Sequence, residues 1–169
     1  MNKEDHIRLA ELHDHQNYSV TSLEEEIRAE RHCAELLKHF HQYLLEELHT
    51  DPLDAGALAA GADYFLREFI IGDRRENIFE ISALRVRQFG SNWYIIRNLE
   101  PNLAELTDMV QGAAAFYSYC ATQGLIDATT AEQISREASQ LEDFNRRIEE
   151  FHQISGDGFK DWDRQCPIG

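Results

Sequence analysis

Three side chains on one predicted helix have the types and spacing that bind metal ions. His32, Glu35 and His39 are three and four positions apart, so an α-helix places them on one face. Imidazole and carboxylate groups at this spacing can bind zinc or iron. The alternative is a solvated polar face opposite Leu37 and Leu44, and we favour it because exposed His and Glu side chains are common. We therefore predict no cofactor and keep the three residues as the candidate metal ligands.

A second group of side chains could bind phosphate. It is the only basic cluster of the sequence and comprises Arg74, Arg75, Arg85 and Arg87. Arginine is a typical contact to the phosphates of nucleic acids. Ion pairing with nearby acidic residues is the alternative, and we favour it because a chain of net charge −15 repels DNA as a whole.

Two tyrosines, Tyr117 and Tyr119, are the candidate nucleophiles. Tyr117 falls on a predicted core stripe, Tyr119 is predicted to point away from it, and neither has an activating base close in sequence. The sequence contains no G-x-G-x-x-G, P-loop, G-x-S-x-G or H-E-x-x-H motif. We predict that the chain is not an enzyme.

Composition favours a single all-α domain. Among 169 residues, 43% are hydrophobic but only three are proline and nine glycine, which favours long helices over a sheet built on tight turns. The three cysteines, Cys33, Cys120 and Cys166, fit neither a metal knuckle nor a disulfide framework. The sequence has no apolar signal segment and no run of about 18 apolar residues. We expect a cytoplasmic protein with no membrane segment.

Apolar periodicity and turn signals place the helices that must position these side chains. The predicted helices span residues 3–16, 23–49, 54–71, a stretch between Ser82 and Glu100, 102–123, and a last helix that starts near residue 129. Ser22 and Glu25 form a predicted capping box, and Gly72 is a predicted helix stop. The predicted organisation is an N-terminal arm with a short helix at 1–20, one helical domain at 21–154 and an irregular tail at 155–169.

Gly90 lies inside one of these predicted helices, beside Val86 and Trp93 on its inward face. A glycine within a helix costs about 1 kcal/mol relative to alanine, so we expect a compensating close approach by another helix. The small residues at 112–115 offer a surface for that approach. We expect Gly90→Leu to destabilise the fold through overpacking.

Three segments carry a resemblance to a known fold. They are "ELLKHFHQYLLEELHTDPLDAGALAAGADYFLREFII", "FEISALRVRQFGSNWYIIRN" and "LTDMVQGAAAFYSYCATQGLID", which together cover residues 35–127. Their pattern resembles the core-binding, SAM-like N-terminal domain of tyrosine recombinases, and also small prokaryotic proteins that consist of that unit. The resemblance implies a compact bundle of five to six helices that, in recombinases, clamps duplex DNA. The sequence lacks the His-x-x-Arg element and the catalytic domain of a recombinase, so recombinase chemistry is not expected.

Three functions remain open at this level. The favoured one is a non-catalytic interaction or regulatory module that binds a protein partner or a second copy of itself. The long helix at 23–49 and a heptad-like seam, formed by Ile134, Leu141 and Ile148 with Phe144 and Phe151, could bury apolar surface in a dimer or pair with each other within the chain. The alternative is a DNA-associated accessory protein, and the third is a metal-binding helical protein.

Overall fold

The computed structural model describes residues 7–166, and this part of the chain is all-helical, with no strand. Between short connections run α1 (Leu9–Leu12), a 3₁₀ turn (His15–Tyr18), α2 (Leu23–Glu46), α3 (Pro52–Asp63), a first π segment (Tyr64–Arg74), α4 (Leu84–Gln88), a second π segment (Phe89–Trp93), α5 (Tyr94–Arg97), α6 (Leu103–Thr122), α7 (Ala128–Ala138), α8 (Leu141–His152) and α9 (Phe159–Arg164). The all-α prediction is confirmed, but the described residues form eight continuous helices instead of the five to six predicted, because α3 and α4 each continue through a π segment and short helices lie near both ends. The helix predicted from residue 3 begins outside the described residues.

Polar side chains at the helix starts explain where the long helices begin. The Ser22 hydroxyl accepts a hydrogen bond from the Glu25 N–H at 3.2 Å, as the predicted capping box requires. In a capping box the Glu25 carboxylate would accept a hydrogen bond from the Ser22 N–H. Here it accepts from the N–H and the hydroxyl of Thr21, one residue earlier. Asp51 caps α3 through the Leu53 N–H, and Asn102 caps α6. Each cap satisfies a backbone donor that has no partner within its helix.

The helix that begins with α3 does not stop at Gly72. It continues as the first π segment through Arg74, and Arg75 then adopts a left-handed conformation with φ 54°. The Glu76 N–H donates to the Ile70 carbonyl at 3.0 Å and closes the helix end. The predicted glycine stop is therefore wrong, since an arginine takes the left-handed position.

Helices α3 and α6 cross with their backbones very close together. A Cβ atom at Gly112 would lie 2.3 Å from the Leu58 carbonyl oxygen, and one at Gly61 would lie 2.4 Å from that of Asp108. Both distances are far below van der Waals contact, so glycine is required on each helix for the backbones to approach this closely. Around this crossing pack the buried faces of α2 and the first π segment.

The two π segments meet through aromatic side chains. Phe65 and Phe69 contact Phe89 with ring centroids 5.1 and 5.3 Å apart, and Phe69 lies 5.1 Å from Trp93. Gly90 lies on the opposite side of the second π segment, where a Cβ would be 2.7 Å from the Phe144 ring. The predicted close approach at Gly90 is confirmed, but the approaching element is α8, not residues 112–115.

The predicted last helix is two helices, α7 and α8, separated at Ser139 and Gln140. The Ser139 hydroxyl donates to the Arg136 carbonyl at 2.7 Å, so a side chain satisfies one of the last carbonyl groups of α7. The seam residues turn inward, with Ile134 and Phe144 fully buried, against α6 and the second π segment. They are therefore buried within the chain, but not against α2, so the predicted pairing of the last helix with the helix at 23–49 is wrong. The tail predicted to be irregular contains α9.

Candidate functional site

The predicted metal ligands do not converge. His32 is buried, its ring edge faces Tyr18, and its Nδ1 atom lies 2.9 Å from the Arg28 carbonyl oxygen. Glu35 is ion-paired with Lys38 at 2.7 Å, and His39 is half-buried. The prediction that this face points outward is thus wrong at His32. Within residues 7–166 no group of three or more His, Cys, Asp or Glu side chains could hold a metal ion.

Each arginine of the predicted phosphate-binding cluster has a carboxylate partner. Arg74 pairs with Asp73, Arg75 with Glu26, Arg85 with Glu76 and Arg87 with Glu137, at distances between 2.6 and 2.8 Å. The pairs of Arg85 and Arg87 use two nitrogens each, which is the strong bidentate geometry. The structure therefore distributes the four arginines among separate ion pairs.

The side chains considered as nucleophiles are buried. The Tyr117 hydroxyl donates to the Ile78 carbonyl at 2.6 Å, and burial raises its pKa. Tyr119, predicted to point away from the core, is also buried and packs against Phe40 and Tyr43. Burial likewise raises the pKa of the Cys33 and Cys120 thiols, which keeps them protonated near neutral pH.

A pocket between α8, the second π segment and the residues after α9 gathers several polar groups. Its volume is about 240 Å³. The residues that line it are Arg87, Ser91, Gln140, Asp143, Phe144, Arg146, Arg147, Gln165 and Cys166. They come from α4, the second π segment, α8, the residue before α8 and the two residues after α9. The packing of Phe144 against Gly90 holds α8 beside the second π segment.

Arg147 is the unusual member of this pocket because its side chain is only 5% exposed. Its Nε–H donates to the Ser91 carbonyl at 2.9 Å and its Nη1–H to the Trp162 carbonyl at 2.7 Å. Its guanidinium carbon lies 4.0 Å from the centre of the Trp162 ring, in a cation–π contact. The Nη2 atom is buried and has no hydrogen-bond partner among the described residues.

The charge of Arg147 is not matched by an ion pair with any described residue. Burial lowers the pKa of its guanidinium because the charged form loses hydration, while Cys166, Glu150 and Asp163 act in the opposite direction. By contrast, Arg146 is exposed and pairs with Asp143 at 3.0 Å, and Arg87 pairs with Glu137. An arginine offers five N–H donors, so both retain donors beyond those that their carboxylates accept.

Sequence reasoning missed this site, although one signal was present. Arg147 follows Phe144 by three positions and precedes Phe151 by four, so it lies on the apolar face of α8. A charged residue on such a face must find buried partners. Which partners it finds depends on the second π segment and α9, which are distant in sequence.

Comparisons with known proteins give no family for the chain. No family model, no curated protein and no solved structure matches it. Among the described residues, no helix has both the length and the apolar character needed to cross a membrane.

Proposed function

We propose that this chain is a non-catalytic helical interaction module, and that its binding site is the Arg147 pocket. The site accepts an anionic group carried by a ligand or by a partner protein. The observation that carries this proposal is the buried Arg147 guanidinium, whose Nη2 has no partner among the described residues. A buried, unpaired cation costs free energy, and an anion bound in the pocket beside Arg147 offsets part of that cost.

The charge of the whole molecule makes this pocket distinctive. The chain has a net charge of −15, so an anion is repelled by most of its surface. Three arginines and one aspartate line the pocket. Arg87 and Arg146 are paired with carboxylates, so Arg147 is the cation that makes the pocket less acidic than the rest of the molecule. Such a contrast favours a ligand that is small enough to enter the pocket and avoid the acidic surface outside it.

The volume of the pocket limits the ligand. Pockets for drug-sized ligands have about 300–1,000 Å³, and this one has about 240 Å³. Planar guanidinium groups bind carboxylate and phosphate oxygens in pairs. The ligand class is therefore a compact carboxylate or phosphate group, free or at the end of a partner's side chain.

The proposal is tested by calorimetric titration of the protein with inorganic phosphate and with succinate, which represent the two sources of anionic oxygen. We expect saturable binding of at least one. Arg146→Gln should weaken it about tenfold or more, in line with the loss of a charge-assisted hydrogen bond worth about 1.5–3 kcal/mol. Arg147→Lys should abolish it, because the ammonium reproduces the charge but not the fork of donors.

The matched control is Arg28→Gln, which removes the same charge from the exposed start of α2, away from the pocket. It should bind as the unaltered protein does. Because Arg147 joins three elements, circular dichroism of Arg147→Lys first establishes whether the variant folds. Arg146 is 62% exposed, so Arg146→Gln keeps the proposal testable if Arg147→Lys does not fold. No saturable binding of either anion, or equal weakening by Arg28→Gln, overturns the proposal.

The second candidate is a DNA-associated accessory protein with the recombinase-like core-binding fold. Its support is that the three resembling segments contain α3, the second π segment and most of α6 and of the first π segment, and these elements pack together in the core. The ion pairs of Arg74, Arg75, Arg85 and Arg87 and the net charge of −15 oppose it. Titration with duplex DNA at low salt tests this candidate, and absence of binding there removes it.

A further inference from the structure

Helix α9 is held to the rest of the molecule by few contacts, and most of them involve one side chain. Trp162 is the buried residue of this helix, at 3% exposure, while Phe159 remains 43% exposed. The connection that precedes α9 contains Gly156 at φ 59° and is largely exposed. A helix of six residues is not stable alone, so its position depends on these tertiary contacts.

Arg147 and Trp162 bind each other in three ways. The Arg147 Nη1–H donates to the Trp162 carbonyl at 2.7 Å, and the Trp162 indole N–H donates to the Arg147 carbonyl at 3.0 Å. The guanidinium also lies against the indole ring at 4.0 Å. Besides these contacts, Asn92 donates to Asp163 at 2.9 Å and Phe151 packs on Trp162.

The same segment forms one wall of the anion pocket. Gln165 and Cys166, which directly follow α9, line the pocket together with Arg147. The position of α9 therefore determines whether this wall is in place. The Arg147 guanidinium contacts α9 through Nη1 and through its face, whereas the buried Nη2 makes no hydrogen bond to a described residue. An anion bound to Nη2 would therefore not compete with Trp162 for a donor.

We propose that α9 is a strap whose docking is coupled to occupancy of the pocket by an anion. This inference rests on the function proposed above. With α9 docked, the Arg147 charge is buried and unpaired, and an anion compensates it. With α9 released, Arg147 is exposed to water, which hydrates its charge without a ligand. The anion thus binds the docked state more tightly, and by linkage its binding favours docking.

Hydrogen exchange of the full chain, with and without saturating inorganic phosphate, tests the coupling. We expect amides in residues 158–166 to exchange at least threefold more slowly with phosphate, and amides at the start of α2 to remain unchanged. Sodium chloride at equal ionic strength is the control for screening. A Trp93→Phe variant leaves Trp162 as the only tryptophan, and its fluorescence should change upon addition of phosphate with the same midpoint as the calorimetric titration.

The reciprocal test uses Trp162→Leu, which removes the indole ring and its N–H but no charge. It should weaken phosphate binding several-fold if docking and binding are coupled. If calorimetry detects phosphate binding but hydrogen exchange in residues 158–166 is unchanged or faster, the coupling of α9 to the pocket is refuted and the anion-binding proposal is not. Equal phosphate affinity in Trp162→Leu also refutes the coupling. Absence of any phosphate or succinate binding instead contradicts the proposed function itself, so the two failures are distinguishable.

Discussion

At Gly90 the ring of Phe144 occupies the space that a side chain would need. The ring atoms lie 2.7–2.9 Å from the position of a Cβ, and Phe144 is fully buried between α8 and the second π segment. The ring also lines the Arg147 pocket. One glycine therefore allows both the docking of α8 and the formation of the pocket beside it.

Gly90→Ala should lower the free energy of unfolding by about 1–3 kcal/mol, because the new methyl group forces the Phe144 ring to move within a packed interior. The matched control is Gly56→Ala in α3, where nothing lies within 4 Å of the new Cβ. That change should be neutral or stabilising by up to about 1 kcal/mol, as expected for alanine in a helix. Urea denaturation of the two variants measures the difference, and equal stabilities would refute the contact.

At the scale of elements, apolar periodicity within each segment determines where the helices lie. Contacts between distant segments accompany the π segments and form the pocket. Apolar periodicity was sufficient to predict α2 and α6, since a 3.6-residue repeat lies within each segment, although α2 ends at Glu46 and not at the predicted residue 49. The π segments could not be predicted in this way because their hydrogen bonds span five residues rather than four. The aromatic packing that accompanies them joins residues 20 to 24 positions apart. The pocket could not be predicted from local patterns either, because the residues that line it are spread between positions 87 and 166.

Gly112→Ala should destabilise the protein more than Gly90→Ala, because its methyl group meets the backbone of α3 and not a side chain that can rotate. Gly61→Ala should act in the same way from the other helix. Either substitution forces α3 and α6 apart, so the double variant should lose less stability than the two losses added together. A double-mutant cycle from urea denaturation measures this coupling. Strict additivity would show that the two glycines act at independent contacts.

At the scale of the whole molecule, the core buries ionisable groups in their neutral forms. Burial raises the pKa of four tyrosines and two cysteines, with that of Tyr94 raised to about 12; the residues are Tyr18, Tyr94, Tyr117, Tyr119, Cys33 and Cys120. In the unfolded chain these groups release their protons near their ordinary pKa values of 9.0 for cysteine and 10.0 for tyrosine. Above those values the unfolded state holds fewer protons than the folded state.

Stability should therefore be constant with respect to these groups below about pH 8 and fall steeply above pH 9–10. Each group contributes a slope of about 1.4 kcal/mol per pH unit until the pH passes its raised pKa in the folded state. Thermal denaturation between pH 7 and 12 measures the fall. Tyr94→Phe should make it shallower between pH 10 and 12, the interval between its ordinary and its raised pKa. A melting temperature that is the same at pH 7 and pH 11 would contradict this account.

The two π segments also constrain the length of the chain. In a helix, removing one residue turns all that follows by about 100°. A deletion within Tyr64–Arg74 would thus carry Phe69 away from Phe89 and Trp93, whereas a conservative substitution would leave the aromatic contacts in place. In homologous chains, we expect insertions and deletions to be confined to exposed connections such as residues 153–158. Both π segments should keep a fixed number of residues even where their side chains vary.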